Sequence, residues 1–321
     1  MRPIRLLLLL AACFAAAAQA QTWPAKPVRI VVAYPPGGGI DVMARQIADR
    51  LGSAWGQPVV VENKPGANTI VATDAVAKSA PDGHTVLMTT DATFSINPHL
   101  YAKLPYNAQR DFIPVTMLVL LQQMLVAHPA LPANTLQELI SLARSKPGTI
   151  NYASYGSGSQ PHLSGEMLKN KAGIDLVHVP YKGISLAVPA VMAGEVQLTF
   201  AGIATSTAPL KAGRIKALAI GGSSRSPLYP QVPTFTELGY PEVETHAWFG
   251  LFLPAGSPKE AVSRIYTDVK RILDDPEFRQ KQLIDRGYEV VGSAPDEFVR
   301  YIRRDSESRA RAVKISGAKA E

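Results

Sequence analysis

Three glycine-rich loops are the segments of this sequence best suited to bind a small ligand. They read Pro35-Pro-Gly-Gly-Gly39, Gly66-Ala-Asn-Thr69 and Gly156-Ser-Gly-Ser159, and each precedes a helical pattern. A helix N-terminus at the carboxyl end of a strand offers unpaired N–H groups and the positive end of the helix dipole. Glycine lets a ligand approach that backbone closely. The repeated loops therefore predict a cleft for a carboxylate or phosphate, although any one of them alone is also typical of a simple turn.

Known nucleotide-binding and catalytic motifs are absent from the sequence. There is no Walker pattern, no G-x-G-x-x-G and no G-x-S-x-G. Ser157 and Ser159 precede His162, but a serine at a helix start usually caps the helix. His162 and Glu166 are four residues apart, a spacing that suits a helix-surface pair better than a metal site without H-E-x-x-H. We therefore predict a binding protein with no catalytic residue, no metal and no cofactor.

The elements that must position these loops alternate between short β-branched runs and amphipathic helices. Val28 to Ala33 reads as a buried strand, Asp41 to Leu51 as a helix with one apolar stripe, and Val59 to Val61 as the next strand. This order predicts a mostly parallel sheet covered by helices. Further predicted elements are a strand at 122–128, a helix at 135–145 capped by Thr135, a strand at 150–154, and helices at 160–171, 276–286 and 294–308.

The alternation continues in the second half of the chain, so two α/β lobes are expected. The chain would cross between them near Gln122–Val126 and Thr245–Leu251, and the last helices would return to the first lobe. The predicted division is 1–20 for a signal peptide, 21–124 with 246–321 for lobe 1, and 125–245 for lobe 2.

The N-terminus has the layout of a secretory signal peptide. A basic start, Met1-Arg-Pro-Ile-Arg5, is followed by the apolar run Leu6–Ala18 and the cleavage pattern Ala18-Gln-Ala20. The run is shorter than the roughly 20 residues of a membrane span. We expect an exported, periplasmic protein that starts near Gln21.

Cys13, the only cysteine, leaves one alternative open. Leu10-Ala-Ala-Cys13 resembles a lipoprotein box, which would make Cys13 a lipidated N-terminus. If Cys13 is instead removed with the signal, the remaining chain has no disulfide, no thiol catalyst and no cysteine-bound zinc.

The charge argues against a nucleic-acid partner. The formal net charge is +7, and Arg2 and Arg5 account for two of these charges, which leaves about +5. The basic residues are scattered without a long run, and export makes nucleic acid an unexpected partner.

Nearly the whole chain after the signal resembles the extracytoplasmic receptors of tripartite tricarboxylate transporters, the Bug family. The order and spacing of many segments agree. The matching text is WP and KP at 23–27, YPPGGGIDVMAR, QPVVVENKPGA, APDGHTVL, INPHLYAKLPY, RDFIPV, INYASYGSGSQPHLSGE, HVPYKG, AGEVQ, GRIKALAI, VPTFTELGYP and WFGLFLPAG.

The resemblance implies a type-II periplasmic binding-protein fold, in which two α/β lobes close on a ligand held in the cleft between them. It further implies a small organic acid or amino acid as ligand, membrane transporter subunits as partners, and a monomer. The positions that match the family's ligand-binding loops are Tyr34, Pro36, Gly37, Gly38, Asp41, Ala67, Thr90, Ser157, Gly158, Ser159, His162, Tyr181 and Gly183. Two alternative functions are an orphan sensor that presents its liganded form to a signalling partner and an exported hydrolase.

Three positions depart from the family pattern. Asn68 replaces a usual glycine, Asp91 stands where small or polar residues are more usual, and Asn107 replaces a usual aspartate. We add Asp91 to the candidate ligand-binding residues, because an acid facing the cleft would favour a ligand with an amine. An exposed loop acid is the alternative interpretation of Asp91.

Overall fold

The structure is a computed structural model that describes residues 23–222, 224–243 and 245–317. The predicted signal peptide 1–20 and Cys13 lie outside the described residues. The strands of the described part are β1 Val28–Val32, β2 Val59–Asn63, β3 Thr85–Thr90, β4 Phe112–Ala127, β5 Asn151–Ser154, β6 Val177–Pro180, β7 Leu198–Gly202, β8 Lys216–Ile220, β9 His246–Pro254 and β10 Tyr288–Val290.

Helices follow most of these strands. They are α1 Gly39–Trp55, α2 Ile70–Ala77, α3 Asn97–Leu100, α4 Leu136–Ser145, α5 Gln160–Ala172, α6 Ile184–Ala193, α7 Ile203–Lys211, α8 Lys259–Asp274, α9 Pro276–Phe278 and α10 Pro295–Ser316. No helix among the described residues is both long enough and apolar enough to span a membrane.

Two strands, β4 and β9, join the two halves of the sheet. The strand order is β2-β1-β3-β9-β4-β7-β5-β6, and β8 and β10 also pair with β4. Residues Phe112–Gln122 of β4 pair with β9, whereas Gln123–Ala127 pair with β7. We call the half with β1, β2, β3, β9 and β10 lobe 1, and the half with β5 to β8 lobe 2.

In lobe 2, β4 presents alternate side chains to two separate cores. Leu125 and Ala127 pack with the core that contains Tyr152 and Phe200. Met124 and Val126 pack on the opposite face of the sheet, in another core. Because successive strand side chains point to opposite faces, this apolar run is buried on both sides.

The predicted strands and helices are present, with differences at their ends. Thr135 caps α4 through a hydrogen bond from the Glu138 backbone N–H, 3.1 Å long. The predicted strand 122–128 is only the end of the 16-residue β4. The predicted helix 276–286 is α9 followed by a π-helical turn and a 3₁₀ turn. Helix α7 was not predicted, because its sequence IATSTAPLK is rich in threonine, contains Pro209, and lacks an apolar stripe.

The C-terminal helix α10 is fixed to lobe 1 by buried charges. The Arg309 guanidinium donates to the His246 backbone oxygen at 2.6 Å and lies 3.7 Å from the Asp91 carboxylate. Asp305 lies 3.4 Å from Arg309 and accepts a hydrogen bond from the Trp248 indole at 2.8 Å. Asp91 is fully buried, and burial raises its pKa to about 7 although the Arg309 charge opposes the shift.

Changing Asp91 to Asn should reduce the dependence of stability on pH. The folded pKa of Asp91 lies above that of the unfolded chain, so the folded state binds this proton more tightly. This contribution to stability is present at low pH and is lost as pH rises through 7. From pH 5.5 to 7.5 the loss is about 2 kcal/mol. Urea unfolding of both proteins at the two pH values measures it, and an identical pH dependence would contradict this account.

Glycine at position 165 lets α5 pack closely on β5. A Cβ at Gly165 would clash with the ring of Tyr152, which is fully buried beneath the helix. Gly52 in α1 offers a matched control, because a Cβ there would lie 3.5 Å from the nearest atom, an ordinary contact.

Gly165→Ala should therefore destabilise the protein by about 1–3 kcal/mol through overpacking. Gly52→Ala should be neutral or stabilising by up to about 1 kcal/mol, because alanine favours a helix more than glycine does. Thermal or urea unfolding of both variants tests the difference. Equal effects of the two substitutions would show that helix propensity, and not the contact with Tyr152, decides the result.

Candidate functional site

The cleft between the lobes contains two adjoining pockets. Tyr34 follows β1 in lobe 1 and Tyr155 follows β5 in lobe 2, and both line both pockets. Their ring centroids lie 5.7 Å apart with the planes at 89°. This edge-to-face pair therefore borders both pockets; we call the one lined by Gly38 and Gly202 the inner pocket and the one lined by Gly66 and Gly156 the outer pocket.

The inner pocket encloses about 70 Å³, room for several water-sized groups, since one water needs roughly 10–15 Å³ measured in this way. The residues that line the inner pocket are Tyr34, Pro35, Gly38, Gly39, Ile40, Thr90, Leu121, Gln123, Tyr155, Ile184, Ser185, Gly202, Ile203, Ala204, Thr205, Ala247, Phe249, Gly287 and Tyr288.

The N-termini of three helices open onto the inner pocket, α1 from lobe 1 and α6 and α7 from lobe 2. Their N-caps are Gly38, Gly183 and Gly202. None of the three has a hydrogen bond from a capping side chain, and the first turn of each lines the pocket. The first N–H groups of a helix have no partner within the helix. The pocket is therefore bordered by main-chain donors and the positive ends of three helix dipoles.

The lobes touch each other at the rim of this pocket. A Cβ on Gly183 would lie 2.9 Å from Cδ of Pro35. A Cβ on Gly38 would lie 3.5 Å from Cγ2 of Ile184. Glycine is thus required at position 183, where the loop before α6 meets the loop after β1, and the described conformation is closed at this edge.

The outer pocket, about 220 Å³, lies on the other side of the tyrosine pair. The residues that line it are Ala33, Tyr34, Gly66, Ala67, Asn68, Thr69, Tyr101, Tyr155, Gly156, Ser157, Pro180, Tyr181 and Lys182.

The loop before α2 enters the outer pocket in a left-handed conformation. Ala67, Asn68 and Thr69 have φ angles of 44°, 46° and 77°. Asn68 is among the non-glycine residues that best tolerate this conformation, which explains how it replaces the glycine usual at this position. Asn97 holds the turn, because its amide donates to the Asn68 backbone oxygen at 2.8 Å and accepts from the Asn68 amide at 2.8 Å.

Asp41 holds the first glycine-rich loop and lines neither pocket. Its carboxylate accepts hydrogen bonds from the Gly37 N–H and the Asn63 amide, each 2.9 Å long, and pairs with Arg45 at 3.0 Å. Burial acts to raise the pKa of Asp41, but these hydrogen bonds outweigh it and hold the pKa below its usual value. Pro36 and Gly37 are exposed and also line neither pocket.

The loop before α5 is arranged differently from the predicted anion site. His162 Nδ1 accepts from the Gly158 N–H at 2.9 Å, and its ring stacks on His178 at 3.9 Å. A Cβ on Gly158 would clash with Leu100, so the loop packs against α3. Ser159 is fully buried. Within this loop Gly156 and Ser157 reach the outer pocket.

The structure therefore brings together some of the predicted site residues and separates others. Tyr34, Gly38 and Thr90 line the inner pocket, and Ala67, Ser157 and Tyr181 line the outer one. The predicted residues that line neither pocket are Pro36, Gly37, Asp41, Asp91, Gly158, Ser159, His162 and Gly183. Asp91 faces Arg309 and not the cleft, which removes the reason to expect a ligand amine.

Sequence reasoning missed the α7 N-terminus, Gln123, Tyr155 and Tyr288. Two signals were available. Tyr155 follows β5 as Tyr34 follows β1, and Gln123 is a polar residue within a predicted apolar crossing strand. The α7 and Tyr288 positions carried no local signal. Among residues 23–222, 224–243 and 245–317, no group of three or more His, Cys, Asp or Glu side chains could hold a metal.

Comparison with known proteins agrees with this architecture. The model of the family "Tripartite tricarboxylate transporter family receptor" (TctC) matches residues 43–317. BugT of Bordetella pertussis is 34% identical over 310 residues, 95% of this chain and 94% of BugT.

Two solved structures are similar over nearly their full length. R. palustris Rpa4515 with adipate has a TM-score of 0.89 at 32% identity, covering 92% of this chain and 99% of that chain. MatC from Rhodopseudomonas palustris with bound malate has a TM-score of 0.86 at 32% identity, covering 91% and 100%. These similarities confirm the predicted type-II periplasmic binding-protein fold. The chain belongs to the TctC family of tripartite tricarboxylate transporter receptors.

Proposed function

We propose that this protein captures a small carboxylate in the inner pocket and delivers it to a tripartite tricarboxylate-type membrane transporter. The observation that carries the proposal is the convergence of two helix N-termini, those of α1 and α7, from opposite lobes. A carboxylate between them would accept main-chain hydrogen bonds from both lobes. Binding would therefore favour the closed form.

The energetics of such a site suit an anion. A hydrogen bond to a charged group contributes about 1.5–3 kcal/mol, and each helix dipole adds up to ~2 kcal/mol where it is partly buried. Burial raises the pKa of Tyr34 and Tyr155 above their usual value and that of Tyr288 to about 12. These three phenols stay neutral, so they add no negative charge beside the ligand.

The comparisons support a binding protein over an enzyme. The family consists of periplasmic solute-binding receptors, and the two similar structures were solved with adipate and with malate, both carboxylates. We propose that the outer pocket, with Ala67, Ser157 and Tyr181, is the entrance to the site. In this proposal Asp41 stabilises the conformation of the loop before α1, and Gly158 and His162 stabilise that of the loop before α5.

Closure would use the two strands that join the lobes. We propose lobe boundaries of 21–124 with 246–321 and 125–245, so that β4 and β9 bend near Gln122 and His246. The contact of Gly183 with Pro35 would form on closing, and the closed pair of lobes would be the surface that the transporter recognises. We further propose that the signal peptide is cleaved after Ala20 and that the mature protein is a periplasmic monomer.

Ligand binding should raise the melting temperature without any turnover. A screen of hexanoate, benzoate, malate, adipate and aspartate by thermal shift tests this, with product analysis of each mixture. A ligand at a hundred times its Kd stabilises the folded state by about 2.7 kcal/mol. Failure of every acid to shift the melting temperature would contradict the proposal, as would consumption of any of them.

Ile203→Pro should weaken carboxylate binding by about tenfold to a hundredfold. Proline removes the N–H of the first residue of α7, where it fits a helix start, and Gly202 already has the extended conformation that precedes proline. The loss corresponds to one charge-assisted hydrogen bond. Ile203→Val, which keeps the N–H and has a similar volume to proline, is the control. Equal Kd values for the two variants in isothermal titration calorimetry would exclude this N–H as a donor.

A further inference from the structure

The inner pocket has no charged side chain in its lining. The residues around it are glycines, aliphatic and aromatic side chains, and neutral polar groups, namely the side chains of Thr90, Gln123, Ser185 and Thr205 and the hydroxyls of Tyr34, Tyr155 and Tyr288. Much of the apolar lining comes from Leu121, Ala247, Phe249 and the ring of Tyr288, and Phe249 and Tyr288 lie beside Gly39 at the start of α1. Such a lining complements one carboxylate at the helix ends and an apolar remainder.

A second negative charge on the ligand would have no cationic side chain to pair with in this pocket, whose polar side chains are all neutral. Lys182 lines the outer pocket and not the inner one. Burying an ionised group without a counter-charge or hydrogen bonds is strongly unfavourable. The buried charges next to the pocket do not offer a free cation, because Arg309 is paired with Asp91 and Asp305. The Asp91 charge acts on Tyr34 and Tyr155, where it contributes to raising the pKa of both phenols, although Arg309 opposes it at Tyr155.

Gln123 is the one lining side chain with an unused polar atom deep in the fold. It is 2% exposed, its Nε2 donates to the Tyr155 hydroxyl at 3.2 Å, and its Oε1 has no hydrogen-bond partner. A buried acceptor without a partner is costly. This oxygen is buried from the pocket as well as from solvent, so a neutral donor on the ligand, such as a hydroxyl group, would satisfy it only if the Gln123 amide turned toward the pocket. A carboxylate in the same place would be repelled.

We infer that this receptor takes a monocarboxylate with an apolar body that carries at most one neutral donor. This inference rests on the proposed function and assigns its substrate class. It distinguishes this chain from the similar proteins solved with adipate and malate, which are dicarboxylates. The carboxylate lies between α1 and α7, and the rest of the ligand lies against Leu121, Phe249 and Tyr288.

The test compares acids of matched size by isothermal titration calorimetry on the full mature protein. One series is hexanoate, 6-hydroxyhexanoate and adipate; the other is benzoate, 4-hydroxybenzoate and terephthalate. In the series that binds, the two monocarboxylates should bind at least tenfold more tightly than the dicarboxylate. The hydroxy acids separate charge from length, because they extend the ligand with a neutral group.

Each contrary outcome has its own meaning. A dicarboxylate that binds as tightly as its monocarboxylates, or more tightly, overturns the substrate class and leaves the receptor function intact. Hydroxy acids that bind as weakly as the dicarboxylates show that size and not charge decides, which also overturns it. No binding in either series overturns the inference. If the wider acid screen fails as well, the proposed function fails with it.

A charge placed in the pocket should change the preference. Ser185 lines the inner pocket in the first turn of α6, whereas its neighbour Leu186 is 49% exposed and lines neither pocket. Ser185→Lys should strengthen dicarboxylate binding relative to monocarboxylate binding at least tenfold. The measure is the Kd of the monocarboxylate divided by the Kd of the dicarboxylate, which should rise by that factor. Leu186→Lys, with the same charge at the same helix end, should leave the ratio unchanged. Equal ratios in both variants, with melting curves showing that both are folded, would overturn the inference.

Discussion

The constraint on which the proposed site depends is that helices from opposite lobes must begin beside the same pocket. Helix α1 begins after β1 in lobe 1, and α7 begins after β7 in lobe 2. Both strands deliver the chain to the cleft at their carboxyl ends, where open α/β sheets collect ligands. Because the donors are main-chain N–H groups, the site needs glycine for access and needs no cationic side chain.

Charged side chains lie around the inner pocket and not in its lining, and Lys182 lines the outer pocket. Asp41, in the first turn of α1, accepts a hydrogen bond from the Gly37 N–H in the loop before this helix. Its pair with Arg45 keeps the carboxylate ionised. Asp91 and Arg309 connect the end of β3 to the C-terminal helix. These buried groups fix the loops and helices that border the pocket. The inner pocket itself is neutral, and the selectivity proposed for it depends on the charge of the ligand.

The two tyrosines and the two joining strands connect ligand binding to closure. Tyr34 and Tyr155 come from different lobes, yet their rings meet between the two pockets. β4 and β9 run through the junction, so movement of one lobe changes the distance between these rings. A ligand in the proposed site would therefore be enclosed by side chains from both lobes, which is how a binding protein converts occupancy into a change of shape.

The sequence by itself determined most of the strands and helices and indicated that the protein binds an anion. Apolar periodicity located β1, α1, β2 and most later elements, and the glycines at 37–39 marked a strand-to-helix turn able to receive an anion. The matching segments extended this to the fold and the family. These features are local, or repeat along the chain, so they can be read without coordinates.

Only the tertiary structure decided which helix N-termini share the inner pocket with α1. The sequence favoured the loop before α5, because its glycines are conspicuous, but Gly158 in that loop lies against Leu100 and His162, and only Gly156 and Ser157 reach the outer pocket. The helices that share the inner pocket with α1 are α6 and α7, and the start of α7 has a single glycine, Gly202, and no apolar stripe. Likewise Asp91 faces Arg309, more than two hundred residues away in sequence. Such pairings depend on how distant strands are ordered in the sheet, and no local pattern records that order.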